Sequence, residues 1–126
     1  MYEGILHKEL SQKLIGAAFE VHNVLGYGFL EKVYENSLAV ELKLQGVFCE
    51  QQKNMTVYYK ANNVGDYFAD LFVDNKIIVE LKAEKVYNKK HEAQLLNYLK
   101  ALKHNLGYLI NFGEEKVEFK RFIYSA

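Results

Sequence analysis

The sequence predicts an α/β domain with a central mixed sheet flanked by helices. The main observation is a change of hydrophobic period: apolar residues recur at helical spacing up to Leu44, and from Val47 the period becomes two. A helical segment returns once, over residues 89–103, and short apolar runs lie on both sides of it. The resulting element order, ααβββαββ, is typical of helices packed on a mixed sheet.

Two helices are predicted before the first strand. Ser11 can cap a helix that runs to about Asn23, because a serine side chain accepts hydrogen bonds from the free N–H groups of a first turn. The segment Gly26-Tyr27-Gly28 breaks this helix. A second helix is expected over residues 30–44, and Gly46 ends it, as glycine often does at a helix C-terminus.

The rest of the chain is expected to supply the sheet and one further helix. Residues 47–60 are rich in β-branched and aromatic side chains and form one strand or two. The turn Ala61-Asn62-Asn63 follows. We further expect, in chain order, strands over residues 66–73 and 76–83, a helix over residues 89–103, and strands over residues 107–111 and 117–124.

Composition indicates one domain, residues 1–126, with balanced charges. The length is ordinary for a single domain, and 16 Lys and Arg residues match 16 Asp and Glu residues. A protein that coats DNA non-specifically would be basic, so any nucleic-acid contact here must be local or assisted by metal ions. Cys49 has no partner for an intramolecular disulfide, which suits the cytoplasm. No apolar run approaches the ~20 residues that a membrane helix requires.

The segment Ile77–Lys82 carries the clearest chemical signal. A strand this apolar is expected to be central in the sheet. Side chains alternate between the two faces of a strand, so Glu80 and Lys82 point the same way. Two charges on one face of a central strand are costly unless they pair or serve a site.

Asp70 is a second charge in an apolar strand, and the hairpin loop decides whether it meets Glu80. A two-residue loop, Asp74-Asn75, would place the two acids on opposite faces. A three-residue loop over residues 73–75 would place Asp70 diagonal to Glu80, and one over residues 74–76 would place them directly opposite. We favour the loop over residues 73–75, because Asn75 tolerates the left-handed conformation that such a loop demands.

Two carboxylates beside an ammonium group can serve a metal-dependent hydrolase. Mg²⁺ takes oxygen ligands, typically one or two carboxylates with waters and phosphate oxygens. Such a metal activates water and neutralises charge on a phosphoryl group, while a lysine can orient the water or stabilise the phosphate. The alternative is a buried structural ion pair of Lys82 with Glu80 or Asp70, and the spacing alone does not separate the two.

Further candidate residues lie on the helices. Glu31 and Tyr34 share a helix face and could complete the site, although a glutamate is also favoured in a first helical turn and a tyrosine in the core. Gln94 and Tyr98, four residues apart, could contact a phosphate or a metal-bound water. His22 is a lesser candidate, since a single histidine is usually structural.

The chain resembles the GxxExxY family, a branch of the PD-(D/E)xK nuclease superfamily. The naming motif is the segment from Gly28 through Glu31 to Tyr34, and residues 19–26 before it also fit. The superfamily motif matches Asp70 followed by Glu80-Leu81-Lys82. Two later segments match the helical glutamine–tyrosine motif and a strand end of the family: Gln94-Leu95-Leu96-Asn97-Tyr98-Leu99 and Asn111-Phe112-Gly113.

This resemblance implies a restriction-endonuclease-like αβββαβ core and a divalent-metal-dependent nuclease that uses Mg²⁺ or Mn²⁺ on DNA or RNA. It implies that Asp70 and Glu80 bind the metal, with Leu81 and Glu31 as further metal contacts, and that Lys82 assists hydrolysis. The remaining implied site residues are a catalytic Gln94 and the substrate-binding residues Tyr98, Tyr34 and His22.

One departure from the family favours another function. The family often has an arginine before the Ala-Asp pair, and Phe68 stands there in this chain. Together with the zero net charge, this favours a catalytically inactive module that binds nucleic acid or a protein partner. Exposed tyrosines are compatible with a homo-oligomer in either case, and the candidates are Tyr58, Tyr59 and Tyr67.

Overall fold

The computed structural model describes residues 6–125, so residues 1–5 and 126 of the predicted domain lie outside the described residues. The element order is ααβββαββ, as predicted, and β1 is one continuous strand. The elements are α1 (Lys8–Leu25), α2 (Glu31–Leu44), β1 (Cys49–Tyr59), β2 (Asn62–Val73), β3 (Ile77–Lys82), α3 (Lys90–Leu102), β4 (Leu106–Asn111) and β5 (Glu118–Ile123).

The five strands form one mixed sheet in sequence order, β1-β2-β3-β4-β5. All neighbouring pairs are antiparallel except β3 and β4, which α3 connects as a crossover. The central strand β3 is therefore paired on both edges. This confirms the α/β class and the central mixed sheet.

Helices cover both faces of the sheet. Leu14 of α1 and Leu38 of α2 pack with Val79 and Leu81 in the larger apolar cluster. Leu95 and Leu99 of α3 pack on the other face in a smaller cluster. Both clusters are almost free of solvent, which places β3 between two dry layers. Over residues 6–125, no helix combines the length and hydrophobicity that crossing a membrane would take.

The predicted cap of α1 is wrong. The helix begins at Lys8, and Ser11 lies buried within it, where its own N–H donates to the carbonyl of His7 at 2.9 Å. The apolar stripe starts earlier than Ser11 because Leu6 and Leu10 also pack against the core. Tertiary packing, rather than the capping preference of serine, therefore sets the start of this helix.

The turn between β1 and β2 also differs from the prediction. Lys60 and Ala61, with φ of 48° and 66°, form a two-residue turn, and Tyr59 pairs with Asn62. The asparagine pair assigned to the turn is therefore at the start of β2. A two-residue turn with both φ values positive matches the twist of the flanking strands, which explains this register.

The hairpin between β2 and β3 has a three-residue loop, but not the one we favoured. Val73 pairs with Ile77, so the loop comprises residues 74–76. Asp74 and Asn75 adopt φ of 50° and 56°, and Val73 stays in the strand, where it is completely buried. Burial of Val73 therefore fixes the register, and this register sets Asp70 directly opposite Glu80.

The turn after β4 is locked to the segment after β3. The Asn111 side chain accepts the N–H of Glu84 and donates to its carbonyl oxygen, both at 2.9 Å. Gly113 packs so closely here that a Cβ atom would lie 2.3 Å from the Glu84 backbone. This contact explains why asparagine and glycine stand at positions 111 and 113, and it fixes the chain after β3 and β4.

Candidate active site

Asp70 and Glu80 meet where β2 and β3 separate. The backbone ladder between these strands ends at the pair Leu71 and Val79. Beyond it, the Leu81 N–H donates to Oδ2 of Asp70 at 2.8 Å, so a carboxylate replaces the usual backbone acceptor. The Asp70 N–H lies 3.4 Å from Oε1 of Glu80. The two acids are therefore neighbours in a gap between the strands.

Burial raises the pKa values of both acids, and the charge of Asp70 raises that of Glu80 further. Desolvation, followed by the charge of Asp70, raises the pKa of Glu80 to about 7, and a hydrogen bond from the Tyr67 hydroxyl opposes this rise. Desolvation also raises the pKa of Asp70, while bonds from Leu81 and Gln52 counteract it. The pair therefore carries negative charge that the surrounding protein only partly compensates.

Lys82 lies beside this pair without a salt bridge. Over residues 6–125, no carboxylate oxygen lies within 4.0 Å of its ammonium group. Its charge nevertheless lowers the pKa values of Glu31, Asp70 and Glu80. The alternative of a structural ion pair with Glu80 or Asp70 is therefore not found, and the ammonium group remains available to a ligand.

Glu31, at the start of α2, is close enough to the site to interact with its charged groups. Partial desolvation raises its pKa, Lys82 lowers it, and Asp70 and Glu84 raise it further. These influences require Glu31 to lie near both strands of the acid pair. The structure thus brings a helix carboxylate toward Asp70 and Lys82.

A cleft of about 320 Å³ joins Glu80 to α3, whereas Asp70 and Glu31 do not line it. Glu80 and Lys82 line it from the sheet, and the exposed Gln94 lines it from the helix. The Tyr98 ring stacks on Tyr67 at a centroid distance of 4.0 Å, which braces this wall. Gln94 and Tyr98 are therefore positioned to contact a molecule in the cleft.

Tyr34 and His22 lie outside this cleft, contrary to the prediction that they bind substrate. Tyr34 is completely buried, its hydroxyl donates to the Gly26 carbonyl at 2.7 Å, and its ring stacks on Phe112. His22 is also buried, and its Nε2 donates to the Glu114 carbonyl at 2.8 Å. Both residues hold the helices and turns together, because their polar atoms are satisfied inside the protein.

Sequence reasoning missed three residues at the site. Tyr67, expected to be exposed, is 8% exposed, and burial raises its pKa so that it remains a donor to Glu80. Glu35 is 4% exposed and shares the apolar stripe of α2 with Leu38, a spacing that could have revealed it. Gln52 contacts Asp70 through a backbone conformation that no sequence pattern predicts.

The donor atoms at the strand gap suit a hard divalent cation. Asp70 and Glu80 offer carboxylate oxygens, and Oε2 of Glu80 accepts no hydrogen bond from residues 6–125. The Leu81 side chain is buried, but its N–H faces Asp70, and the carbonyl of a strand residue points to the same side as its N–H. Within the described part of the chain, no three His, Cys, Asp or Glu side chains group as a metal site. Two carboxylates and one carbonyl suit an ion such as Mg²⁺, because this ion takes its remaining ligands from water and phosphate.

A protein family and a solved structure both match this chain. A family model described as the PD-(D/E)XK nuclease superfamily matches residues 8–122. Among solved structures, SSO0001 superimposes with a TM-score of 0.58 and 15% sequence identity over 99% of this chain and 81% of its own. That identity shows a common fold and nothing further. The comparison with curated proteins gave no match.

Proposed function

The chain belongs to the PD-(D/E)XK nuclease superfamily, and on this premise we propose that it hydrolyses phosphodiester bonds in nucleic acid. Nucleases of this superfamily generally use divalent metals. The observation that carries the proposal is the pair Asp70 and Glu80 in the strand gap, beside Lys82, which forms no salt bridge within residues 6–125. Two acids and a free ammonium group are the parts that metal-assisted phosphodiester hydrolysis requires.

The metal, Mg²⁺ or Mn²⁺, would be held by Asp70, Glu80 and the Leu81 carbonyl, with Glu31 as an additional acid. When bound, it would make water more acidic and neutralise charge on the phosphate. The protein prepares this site in advance. Tyr67 and the Asp70 N–H hold Oε1 of Glu80, which leaves Oε2 for a ligand. Repulsion between the two desolvated acids favours the uptake of a cation.

The cleft residues would bind and orient the substrate. Lys82 would stabilise the negative charge that develops on the phosphate, since no carboxylate of the described chain lies within salt-bridge distance of it. The Gln94 amide can donate to a phosphate oxygen, and Tyr98 offers a ring edge and a hydroxyl to a nucleotide. Nucleic acid would therefore lie between Glu80 and α3.

Finer assignments follow from the sequence. We place the chain in the GxxExxY branch on the segment from Gly28 to Tyr34. A single domain, a cytoplasmic location and a homo-oligomer stay predictions. For the oligomer, Tyr58 and Tyr59 are 64% and 61% exposed, whereas Tyr67 is buried and is withdrawn.

A second function is favoured by Phe68. This ring is 51% exposed and lines the cleft beside Glu80, where the family often has an arginine. An apolar ring at this place removes a phosphate contact, so the cleft could bind nucleic acid or a protein without cutting it. The two functions differ in whether metal-dependent turnover occurs.

Cleavage of single- and double-stranded DNA and RNA with Mg²⁺ or Mn²⁺ tests the proposal. We expect activity that EDTA abolishes and that Glu80→Ala and Lys82→Ala each lower by on the order of 10²-fold or more. Glu20→Ala is the matched control, because Glu20 is exposed on α1. Turnover equal to wild type in Glu80→Ala would defeat the nuclease assignment. If nucleic acid binds but none of the substrates is cleaved, the inactive module is favoured.

A further inference from the structure

A buried carboxylate on α2 is a fixed point next to the site. Glu35 is 4% exposed and accepts three side-chain hydrogen bonds. The donors are the Lys32 ammonium group at 2.9 Å and the amides of Gln51 and Gln52 at 2.7 and 2.8 Å. A carboxylate with this many donors has little freedom to rotate. Glu35 can therefore hold the side chains that donate to it in fixed positions.

Gln52 connects this anchor to the acid pair. Its Nε2 atom donates to Oε1 of Glu35 at 2.8 Å and to Oδ1 of Asp70 at 3.1 Å. The two hydrogens of one amide group are thus shared between two carboxylates. No other side chain within residues 6–125 hydrogen-bonds to both of these acids.

The backbone of β1 is adapted to make this bridge. Gln52 has φ of 50°, in the left-handed region, although the residues before and after it pair regularly with β2. In a regular strand, Gln51 and Gln52 would point to opposite faces, yet both contact Glu35. A residue with a Cβ atom rarely adopts this conformation, so surrounding contacts must maintain it. It occurs in β1 opposite Asp70.

We propose that Gln52, anchored on Glu35, is a positioning residue that holds Asp70 ready to bind the metal. This inference depends on the proposed metal centre. Leu81 binds Oδ2 of Asp70 and Gln52 binds Oδ1, so both oxygens of the carboxylate are restrained beside Glu80. Without Gln52, one of these two restraints is lost, and the Asp70 carboxylate can rotate more freely. Residues that orient metal ligands typically change metal affinity by 10–100-fold.

Isothermal calorimetry with Mn²⁺ on the full chain tests this role. Gln52→Gly removes the side chain and tolerates the positive φ, so the backbone of β1 can be kept. We expect its affinity for Mn²⁺ to fall by about tenfold. Gln45→Ala is the matched control, because Gln45 donates to Glu41 at 3.1 Å on the exposed end of α2. The control should bind Mn²⁺ as the wild type does. Equal affinities of Gln52→Gly and the wild type would overturn the proposal.

A second measurement separates positioning from loss of folding. In EDTA, the circular dichroism spectrum of Gln52→Gly should match that of the wild type. If that variant does not fold, Gln52→Asn is used instead, because asparagine also tolerates positive φ but is one methylene too short for the bridge. Saturating Mn²⁺ should restore nuclease turnover in the Gln52 variant and not in Asp70→Ala. Failure of the wild type itself to bind Mn²⁺ would reject the metal centre. If the wild type binds Mn²⁺ and the Gln52 variants bind it equally well, only the role of Gln52 is rejected.

Discussion

Glu80→Gln should stabilise the metal-free protein at alkaline pH and not at acidic pH. The pKa of Glu80 rises from its ordinary 4.5 to about 7 in the folded protein. The folded state therefore binds this proton more tightly than the unfolded state does. The protonated Glu80 therefore contributes to the free energy of unfolding in full below pH 4.5, and this contribution is lost as the pH rises through 7. Glutamine stays neutral and can still accept the Tyr67 hydrogen bond, so it avoids the loss.

The magnitude follows from the size of the shift. A rise of about 2.5 pKa units corresponds to roughly 3 kcal/mol at pH 8, since each unit is worth about 1.4 kcal/mol. For a chain of 126 residues, this is a rise of about 10 °C in the unfolding temperature. At pH 4 the wild type and Glu80→Gln should differ by less than about 1 kcal/mol.

Urea unfolding in EDTA at pH 4 and pH 8 measures the difference. Glu20→Gln, on the exposed face of α1, is the control and should change stability by less than about 0.5 kcal/mol at either pH. Mn²⁺ should then stabilise the wild type at pH 8 more than Glu80→Gln. If Glu80→Gln is no more stable than the wild type at pH 8, the reasoning that burial and Asp70 oppose the charge of Glu80 is wrong.

Three further changes test other parts of the structure. Gly113→Ala should lower the free energy of unfolding, measured in urea, by about 2–3 kcal/mol, because the new Cβ atom would clash with the Glu84 backbone. Gly16→Ala is its control and should be neutral or stabilising, because there is open space around Gly16 in α1. Glu35→Ala should lower it by about 3 kcal/mol in the same assay, because three donors lose their acceptor. Phe68→Arg should tighten binding of duplex DNA and steepen its salt dependence by about 0.9 in log–log slope, measured by fluorescence anisotropy; an unchanged slope would mean that position 68 does not meet a phosphate.

The sequence predicted those parts of the site that depend on strand alternation. Glu80 and Lys82 follow from their spacing in one apolar strand, and both line the cleft. The approach of Asp70 to Glu80 needed the hairpin register as well. The favoured loop begins one residue too early, because the burial of Val73 outweighs the left-handed preference of Asn75 in setting the register.

The missed residues depend on contacts between distant segments. Gln52 adopts a positive φ because Glu35 and Asp70 both bind its amide, and neither contact leaves a local pattern. Tyr67 is predicted to be exposed because a tyrosine side chain is both apolar and polar, whereas stacking on Tyr98 buries it. Ser11 shows the same limit, since packing of Leu10 lengthened the helix beyond its expected cap.

The placement of the two acids within one hairpin affects the order in which the site assembles during folding. Asp70 and Glu80 lie ten positions apart along the chain, so they can meet once β2 and β3 zip together. Glu31 and Gln94 arrive from helices on opposite sides of the sheet and join only after both layers have docked. A nascent chain would thus bring the two acids together before Glu31 and Gln94 join them, so the proposed nuclease activity would appear last.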